Sequence, residues 1–361
     1  LTGAVTQDLD NLSGNTWARV EFGGNVATTV SNASADVTTV VIDGDAQNTK
    51  TFSRKTDTSS DSLNVTIQNT AAANLSAVNE ETINITSTEA ASTITTLTAT
   101  DATTLTIKGS ENTTITNVAG IYLATVDASS ATGVVSVGNT SNTSETAMTI
   151  TAGPGGLTAL GSTAADTMSG ASGDDSLTGG TGNDSITGAG GADTLAGGTG
   201  DDVISGGAGN DSITADGGND NLTGGTGNDT FVLGANWTSD DTIDGGDGTD
   251  SLTITAAAAG STTTLTGLTA VEEVTFTQAG ADTLALASAT SINKITIPHV
   301  AVNAAVSVTG IQSGATVDYS QTADDALTLD TVAGATLTVD NKADTAGGSL
   351  TITDAATVNI I

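Results

Sequence analysis

Cysteine is absent from this chain of 361 residues, and proline, histidine and the aromatic residues are scarce. Without cysteine no disulfide can stabilise the fold, so a secreted protein of this composition needs another source of stability, and bound metal is a common one. Aromatic side chains make up 2% of the residues, which is too few for a usual globular core. The composition favours many thin cores stacked in a row. No apolar run is long enough to cross a bilayer, so we expect no membrane span.

Basic residues are also few, because 7 Lys and Arg stand against 41 Asp and Glu, a formal net charge of −34. Such an excess excludes nucleic acid and anionic membranes as main partners and indicates cations instead. No Lys or Arg occurs between Lys108 and Lys294, so a carboxylate cluster there must be solvated or neutralised by metal. The main basic concentration consists of Arg19, Lys50, Arg54 and Lys55. A solvated surface is its simpler interpretation, and a contact with an acidic neighbouring subunit is the alternative.

Short runs in which apolar and polar residues alternate fill the regions 1–160 and 254–361, and they predict half-buried strands. These runs are residues 65–67, 83–85, 105–107, 135–137, 148–150, 274–276, 295–297, 306–308, 327–329, 337–339 and 350–352. The spacing from Ile83 to Leu105 is almost the same as that from Val274 to Ile295, and both spacings fit successive coils of a β-solenoid. An antiparallel β-sandwich is the alternative. No helix is predicted, and the alanine run at 256–259 is too short for one.

Eight consecutive nonapeptides fill residues 161–232. The sixth residue of each is aspartate, namely Asp166, Asp175, Asp184, Asp193, Asp202, Asp211, Asp220 and Asp229. The eighth is apolar, namely Met168, Leu177, Ile186, Leu195, Ile204, Ile213, Leu222 and Phe231. An insertion that carries Trp237 follows, and the pattern then resumes in residues 241–253 with Asp241, one nonapeptide length before Asp250.

The residue types in the nonapeptide can be explained by the structure that each of them favours. Glycines permit the positive φ and close approach of a tight turn, which aims carbonyl oxygens inward. The candidate turn glycines are Gly173, Gly180, Gly182, Gly191, Gly198, Gly200, Gly207, Gly209, Gly218, Gly225 and Gly227. The second half of each nonapeptide is a short strand, so two nonapeptides form one coil. Aspartates that lie two nonapeptides apart therefore stack in a ladder.

Stacked carboxylates one strand spacing apart, about 4.8 Å, repel one another unless a cation lies between them. Carbonyl and carboxylate ligands without His or Cys select Ca²⁺ over Zn²⁺, and Mg²⁺ demands a tighter shell. We therefore expect several Ca²⁺ ions, held by the eight aspartates together with Asp250 and by the turn glycines. The alternative is a flexible linker, but a linker has no reason to keep aspartate and an apolar residue in phase over eight repeats.

The nonapeptides GGTGNDSIT, GGAGNDSIT and GGTGNDTFV resemble those of the RTX family. The resemblance implies export by type I secretion from a Gram-negative bacterium and folding on calcium. The Thr- and Val-rich flanks resemble RTX-type S-layer proteins, which implies self-association into a two-dimensional lattice on the outer cell surface and attachment to lipopolysaccharide through a part absent here. Two departures from the repeat are expected to weaken their sites: residues 161–166 lack two glycines, and Ala215 with Asp216 replaces a leading glycine pair.

Enzyme motifs are not found in the sequence. His299 is the one histidine, which excludes a zinc protease site of the form HExxH, and no GxSxG elbow of a lipase occurs. We expect an elongated all-β solenoid without enzymatic activity, divided into 1–160, a calcium β-roll at 161–253 and a second β region at 254–361. The alternatives are an RTX adhesin or matrix protein, and the non-catalytic C-terminal part of an RTX enzyme or toxin.

The ends of the chain and several scattered acids give further expectations. The chain begins at Leu1 without a signal-peptide pattern and stops within an alternating run at residues 359–361, so we expect a piece of a longer protein. Acids outside the repeats could hold further ions, or could equally be solvated: Asp43, Asp45, Asp324 and Asp325.

Overall fold

Strands and turns make up the fold, and no helix occurs in the part of the chain that the structure describes. This computed structural model describes residues 5–8, 19–23, 28–33, 38–43, 49–54, 59–68, 73–119, 123–138, 146–256, 258–277, 281–286, 289–298, 305–319, 326–341 and 349–361. The chain forms two compact units, an N-terminal unit of residues 1–191 and a C-terminal unit of residues 192–361. The division into 1–160, 161–253 and 254–361 stays a prediction.

The N-terminal unit is built from short strands that pair in parallel. They are β1 Val5–Asp8, β2 Arg19–Gly23, β3 Thr28–Ala33, β4 Thr39–Asp43, β5 Thr49–Arg54, β6 Ser62–Gln68, β7 Ala73–Val78, β8 Thr82–Thr88, β9 Ser92–Thr98, β10 Thr104–Gly109, β11 Thr113–Ile115, β12 Val118–Ala119, β13 Thr125–Ala131, β14 Val135–Val137, β15 Thr149–Thr151, β16 Leu157–Leu160, β17 Thr167–Ser169, β18 Ser176–Thr181 and β19 Ser185–Gly190. One sheet stacks β2, β4, β6, β8, β10, β13, β15, β17 and β19 in that order. The strands between them form the second sheet, so each coil contributes to both.

The C-terminal unit follows the same plan. Its strands are β20 Thr194–Thr199, β21 Val203–Ala208, β22 Ser212–Thr214, β23 Asn221–Thr226, β24 Thr230–Gly234, β25 Thr242–Asp247, β26 Ser251–Thr255, β27 Thr262–Thr264, β28 Leu268–Thr269, β29 Glu273–Thr277, β30 Thr283–Ala285, β31 Lys294–Ile297, β32 Ala305–Ile311, β33 Thr316–Tyr319, β34 Ala326–Asn341 and β35 Ser349–Ile360. One stack runs through β20, β22, β24, β26, β29, β31 and β33, and another through β21, β23, β25 and β28. Beyond the nonapeptides a further stack contains β27, β30, β32 and the first half of β34.

The register confirms a β-solenoid and shows that the alternative of an antiparallel sandwich is wrong. Ile83 is the direct parallel partner of Leu105, and Val274 is that of Ile295. These pairs are the ones whose spacing predicted successive coils. Parallel pairing in register places an apolar residue above an apolar residue in every coil, and this builds a thin continuous core in each unit.

Burial along single strands follows the alternation in the sequence. In β8, Ile83 and Ile85 are fully buried, whereas Thr82, Asn84 and Thr86 between and beside them are partly exposed. The same alternation holds in β29, where Val274 and Phe276 face the core. Short strands such as β8 and β29 thus contribute two apolar side chains each, and β6 contributes three, which explains how a chain with so few aromatics still buries a core.

The position of Lys50 differs from the one predicted from the sequence. The solvated basic surface predicted around it is wrong at this residue, because the Lys50 side chain is fully buried in β5, and burial lowers the pKa of its ammonium group. Of the other predicted positions, Lys55, His299, Asp45, Asp324 and Asp325 lie outside the described residues. The described part of the chain contains no helix of the length and apolar character that a membrane span requires.

Candidate calcium-binding site

Each nonapeptide forms a turn followed by a short strand, and its apolar eighth residue points into the core. Met168 in β17 pairs directly with Ile186 in β19, which lies two nonapeptides further along the chain. Leu195 in β20 pairs with Ile213 in β22 in the same way. Two nonapeptides therefore make one coil, as the sequence predicts, and consecutive nonapeptides supply strands to opposite sheets.

The aspartates of successive coils are joined by a repeated hydrogen bond. The backbone N–H of Asp166 donates to Oδ1 of Asp184 at 2.7 Å in the N-terminal unit. In the C-terminal unit the same bond has lengths of 2.7–2.9 Å in the pairs Asp193 with Asp211, Asp202 with Asp220, Asp211 with Asp229, and Asp229 with Asp250. The first two aspartates accept from non-aspartate residues instead, Asp166 from Met148 and Asp175 from Leu157. Each of these accepting carboxylates thus commits one oxygen to the coil before it.

The second carboxylate oxygen turns back towards the first residue of its own nonapeptide, which we call the leading glycine. A Cβ atom added to Gly206 would collide with Oδ2 of Asp211 and with the carbonyl oxygen of Gly224 in the next coil. The same crowding surrounds Gly224, where the atoms are Oδ2 of Asp229 and the carbonyl oxygen of Gly245. A carboxylate oxygen and a carbonyl oxygen therefore converge beside each of these leading glycines.

The predicted turn glycines have the conformation that such a turn requires. All of them except Gly173 have positive φ, for example +121° at Gly180 and +136° at Gly209. Gly173 is needed for a different reason, because a Cβ there would meet the backbone of Gly156. Ala189 has φ of 78° at a position where other nonapeptides have glycine, so this turn carries backbone strain.

Burial and charge make these carboxylates unusual. All nine predicted aspartates are at most 3% exposed. In Asp211, Asp229 and Asp250, Oδ2 is buried and has no hydrogen-bond partner. Burial, and more weakly the neighbouring carboxylates, raise the pKa of Asp220 and of Asp229 to about 6. Burial also raises the pKa of Asp211. The buried ionised groups are therefore destabilised as they stand.

A divalent cation fits these residues. The segment between Lys108 and Lys294 has no basic side chain to neutralise the carboxylates. Within the described ranges no three acidic or imidazole side chains are grouped to hold a metal. An ion bound by a ladder aspartate must therefore also take carbonyl oxygens as ligands. Carboxylate and carbonyl oxygens, at turns that repeat every coil, are the donors that Ca²⁺ accepts in a large and flexible shell.

The first nonapeptide departs from this arrangement, as its sequence predicts. Ser162 occupies the place of a glycine, its backbone N–H donates to Oδ2 of Asp166, and its hydroxyl donates to Oδ1 at 2.8 Å. Both oxygens of Asp166 are therefore hydrogen-bonded by the protein itself. This carboxylate has less need of a cation than Asp211 or Asp229.

Two sets of residues were missed in the sequence. Asp241 is 1% exposed, and its Oδ1 accepts the backbone N–H of Asp220 at 2.7 Å, so it belongs to the aspartate ladder after the insertion. The spacing of one nonapeptide from Asp241 to Asp250 was the available signal. The leading glycines, such as Gly206, were visible in the repeat as well, but the reason for them is a contact with the aspartate side chain of the same nonapeptide.

A family model for the RTX calcium-binding nonapeptide repeat, in four copies, matches residues 160–195, 196–231 and 238–253. The match covers about a quarter of the chain and leaves out the insertion that carries Trp237. No curated protein and no solved structure matches the chain significantly. Proteins with these repeats are typically extracellular and secreted. The segment from 160 to 253 thus consists of RTX nonapeptide repeats folded as part of a parallel β-solenoid, and Ca²⁺ is the ion that these repeats bind.

Proposed function

We propose that this chain is the lattice-forming part of a calcium-dependent S-layer on the outer surface of a Gram-negative bacterium, exported by type I secretion and without enzymatic activity. In this proposal Ca²⁺ is held by the nine predicted aspartates, with carbonyl oxygens from the candidate turn glycines and from the leading glycines. The role of the protein is structural, and its partners are calcium and further copies of itself. In this proposal the lattice is attached to lipopolysaccharide.

The observation that carries the proposal is the direct stacking of the flanking coils on the nonapeptide coils within each unit. In the N-terminal unit Thr125 pairs with Thr149, Thr149 with Thr167, and Thr167 with Ser185, without a break in direction. The last two of these residues lie in nonapeptides, whereas the first two do not. A coil that orders when calcium binds therefore provides the edge on which the flanking coils pair.

The C-terminal unit shows the same relationship on its other side. Ser251 in β26 pairs with Glu273 in β29, which pairs with Lys294 in β31, and all of these pairings are parallel. Stability in stacked coils is a sum of local and nearest-neighbour contributions, so order propagates from a stable block into its neighbours. Calcium scarcity inside the cell keeps the block unfolded and exportable, and calcium outside starts folding.

The test is a calcium titration of the chain, followed by circular dichroism for β-structure and by negative-stain electron microscopy for assembly. Magnesium at equal concentration is the matched control ion, because it has the same charge and requires a tighter coordination shell. A gain of β signal with calcium but not with magnesium, followed by ordered two-dimensional arrays, supports the proposal. Chains that fold on calcium and stay monomeric at every protein concentration contradict the lattice. Equal β signal with and without calcium contradicts the folding mechanism.

A cleft beside Trp237 favours an adhesin as the second candidate function. The insertion places the half-buried Trp237 over the next coil, where its indole N–H donates to the carbonyl oxygen of Thr264 at 3.0 Å. The cleft has a volume of about 330 Å³ and is lined by this indole and by hydroxyl side chains such as Ser239 and Thr262. An aromatic ring among hydroxyls suits an uncharged polar ligand. Monomers whose Trp237 fluorescence changes with a soluble surface glycan would favour this candidate.

A further inference from the structure

Beyond the nonapeptides, the ladder of carboxylates continues into residues that carry no repeat motif. The backbone N–H of Asp250 donates to Oε2 of Glu272 at 2.9 Å. This is the bond that Asp229 makes with Asp250, and that Asp211 makes with Asp229, one coil earlier each time. Glu272 thus stands one coil after Asp250, where the next aspartate of the ladder would stand.

The strand register supports the same equivalence. Ser251 and Glu273 are direct partners, so the residues that precede them, Asp250 and Glu272, occupy equivalent positions in successive coils. The backbone N–H of Glu273 donates to the carbonyl oxygen of Asp250 at 2.9 Å, as the N–H of Ser251 does to that of Asp229. Glu272 is therefore a member of the ladder by backbone geometry as well as by its side chain.

The carbonyl oxygen that lies beside each ladder carboxylate also has a counterpart in this coil. At the leading glycine Gly224, a Cβ would meet Oδ2 of Asp229 and the carbonyl oxygen of Gly245. At the next leading glycine, Gly245, it would meet Oδ2 of Asp250 and the carbonyl oxygen of Ala270. Ala270 has φ of 49°, a left-handed conformation that turns the chain sharply before Glu272. One carbonyl and one carboxylate are thus supplied by a short turn without glycine, in place of the longer glycine-rich turn of a nonapeptide.

The surroundings of the Asp250 carboxylate indicate that a cation is required beside it. Its side chain is fully buried, and its Oδ2 has no hydrogen-bond partner. The carboxylates of Glu272 and Asp244 are close enough to raise its pKa further, after the larger effect of burial. The nearest base along the chain, Lys294, forms an ion pair of 3.0 Å with Glu273 instead. A buried anion with other anions nearby is unfavourable without a cation.

We propose that Asp250, Glu272 and the carbonyl oxygen of Ala270 form an additional site for a divalent cation, outside the sequence motif, which closes the C-terminal end of the calcium ladder. The ion is of the calcium class, because every donor is oxygen and the carboxylates belong to different coils. Its binding joins the last nonapeptide to the first coil of the flank, which extends calcium-dependent order to residues around 270–277.

Glu272→Gln tests the site, and Glu273→Gln is the matched control. Glutamine keeps an amide oxygen that accepts the N–H of Asp250, so the variant preserves the hydrogen bond and removes the charge. Glu273 is the adjacent residue, has a side chain 37% exposed and pairs with Lys294, away from the ladder. The readouts are the number of Ca²⁺ ions on each folded chain by native mass spectrometry and the affinities by isothermal titration calorimetry, with full-length protein and calcium as the probe.

The expected result for Glu272→Gln is one Ca²⁺ fewer per chain at calcium levels that fill the other sites, or one site weakened about tenfold or more, since calcium affinity depends on ligand charge. Glu273→Gln should retain the count and the affinities of the parent. A Glu272→Gln chain that folds only at higher calcium also supports the site, because a mere hydrogen-bonding cap is retained in this variant. An unchanged count with unchanged affinities would overturn the proposal and leave Glu272 as a cap of the Asp250 amide. The result does not depend on lattice formation.

Discussion

The backbone N–H of Asp211 donates to Oδ1 of Asp229, 2.8 Å away in the next coil, while Oδ2 of Asp229 remains buried without a hydrogen-bond partner. The two oxygens of one carboxylate therefore have different roles. Oδ1 fixes the register between coils and does so without a metal. Oδ2 is the oxygen left for a cation, beside the carbonyl oxygen of the next leading glycine, Gly245. Calcium removal should therefore destabilise the coils through charge rather than through lost register.

Replacing one ladder aspartate by asparagine should have opposite effects with and without calcium. In Asp211→Asn the amide oxygen can still accept the N–H of Asp193, but the buried charge is removed. We expect the calcium needed for half-maximal folding to rise about threefold to tenfold, because a charged ligand is lost. Without calcium the variant should be more stable than the parent by about 1 kcal/mol. Circular dichroism during a calcium titration gives the midpoint, and the β-structure signal of each protein before calcium is added shows whether the variant is the more ordered of the two without calcium.

The control for this prediction is Asp216→Asn, an exposed aspartate in the same block. It should change neither the calcium midpoint nor the free energy of unfolding beyond about 0.5 kcal/mol. Equal effects of the two substitutions would mean that total charge, and not the ladder, sets the response to calcium.

A methyl group at a leading glycine should be far more harmful than one at a neighbouring glycine. In Gly206→Ala the new Cβ collides with Oδ2 of Asp211 and with the carbonyl oxygen of Gly224. We expect a loss of about 1–3 kcal/mol in the free energy of unfolding at saturating calcium, since overpacking displaces backbone and ligand together. Gly217→Ala is the matched control, because nothing lies within 4 Å of its added Cβ. Guanidinium unfolding of the two variants gives their free energies of unfolding. Equal values would disprove the crowding at the leading glycine.

The calcium-free chain should become more stable as the pH falls through the range in which the ladder takes up protons. The pKa of Asp220 and that of Asp229 are about 6 in the folded protein, raised from 3.8. A raised pKa means that the folded state binds protons more tightly than the unfolded state, so this stabilisation is lost as the pH rises through about 6 and is complete below the unfolded value. Circular dichroism of calcium-free protein at about pH 7 and at about pH 5 tests this, because the β-structure signal should be larger at the lower pH.

Asp229→Asn supplies the control for the pH prediction, because asparagine cannot take up the proton. The variant should show a smaller gain on acidification than the parent. If parent and variant respond identically, the pH dependence comes from the overall negative charge and not from this carboxylate.

Among the apolar residues of the nonapeptides, Phe231 should be the one whose truncation to alanine destabilises the protein most. It is fully buried in β24 and is stacked between Ile213 and Leu252 in the coils on either side. Phe231→Ala should lower the free energy of unfolding by about 3–5 kcal/mol, because it leaves a cavity in a thin core. Val203, 51% exposed, is the control, and Val203→Ala should cost less than about 0.5 kcal/mol. Thermal unfolding at fixed calcium gives the comparison.

The parts of the fold that repeat in phase could be predicted from the sequence. The pairing of Ile83 with Leu105 and of Met168 with Ile186 follows from spacings that are visible in the chain. The conformation of turn glycines such as Gly209 follows from their place in the nonapeptide. Burial of Lys50 could not be predicted in this way, because a cationic side chain carries no sign of which face of a strand it occupies until the register is known.

The sequence by itself determined the period, the strand and turn within each nonapeptide, and the ion, because these depend on chemistry repeated in every nonapeptide. Tertiary structure decided which groups outside the repeat join the ladder. Glu272 and Ala270 share no motif with Asp250 and Gly245, yet parallel stacking of coils of unequal length places them in equivalent positions. The physical reason is that stacking aligns backbone positions between coils, whereas loops of variable length between strands remove any fixed spacing from the sequence.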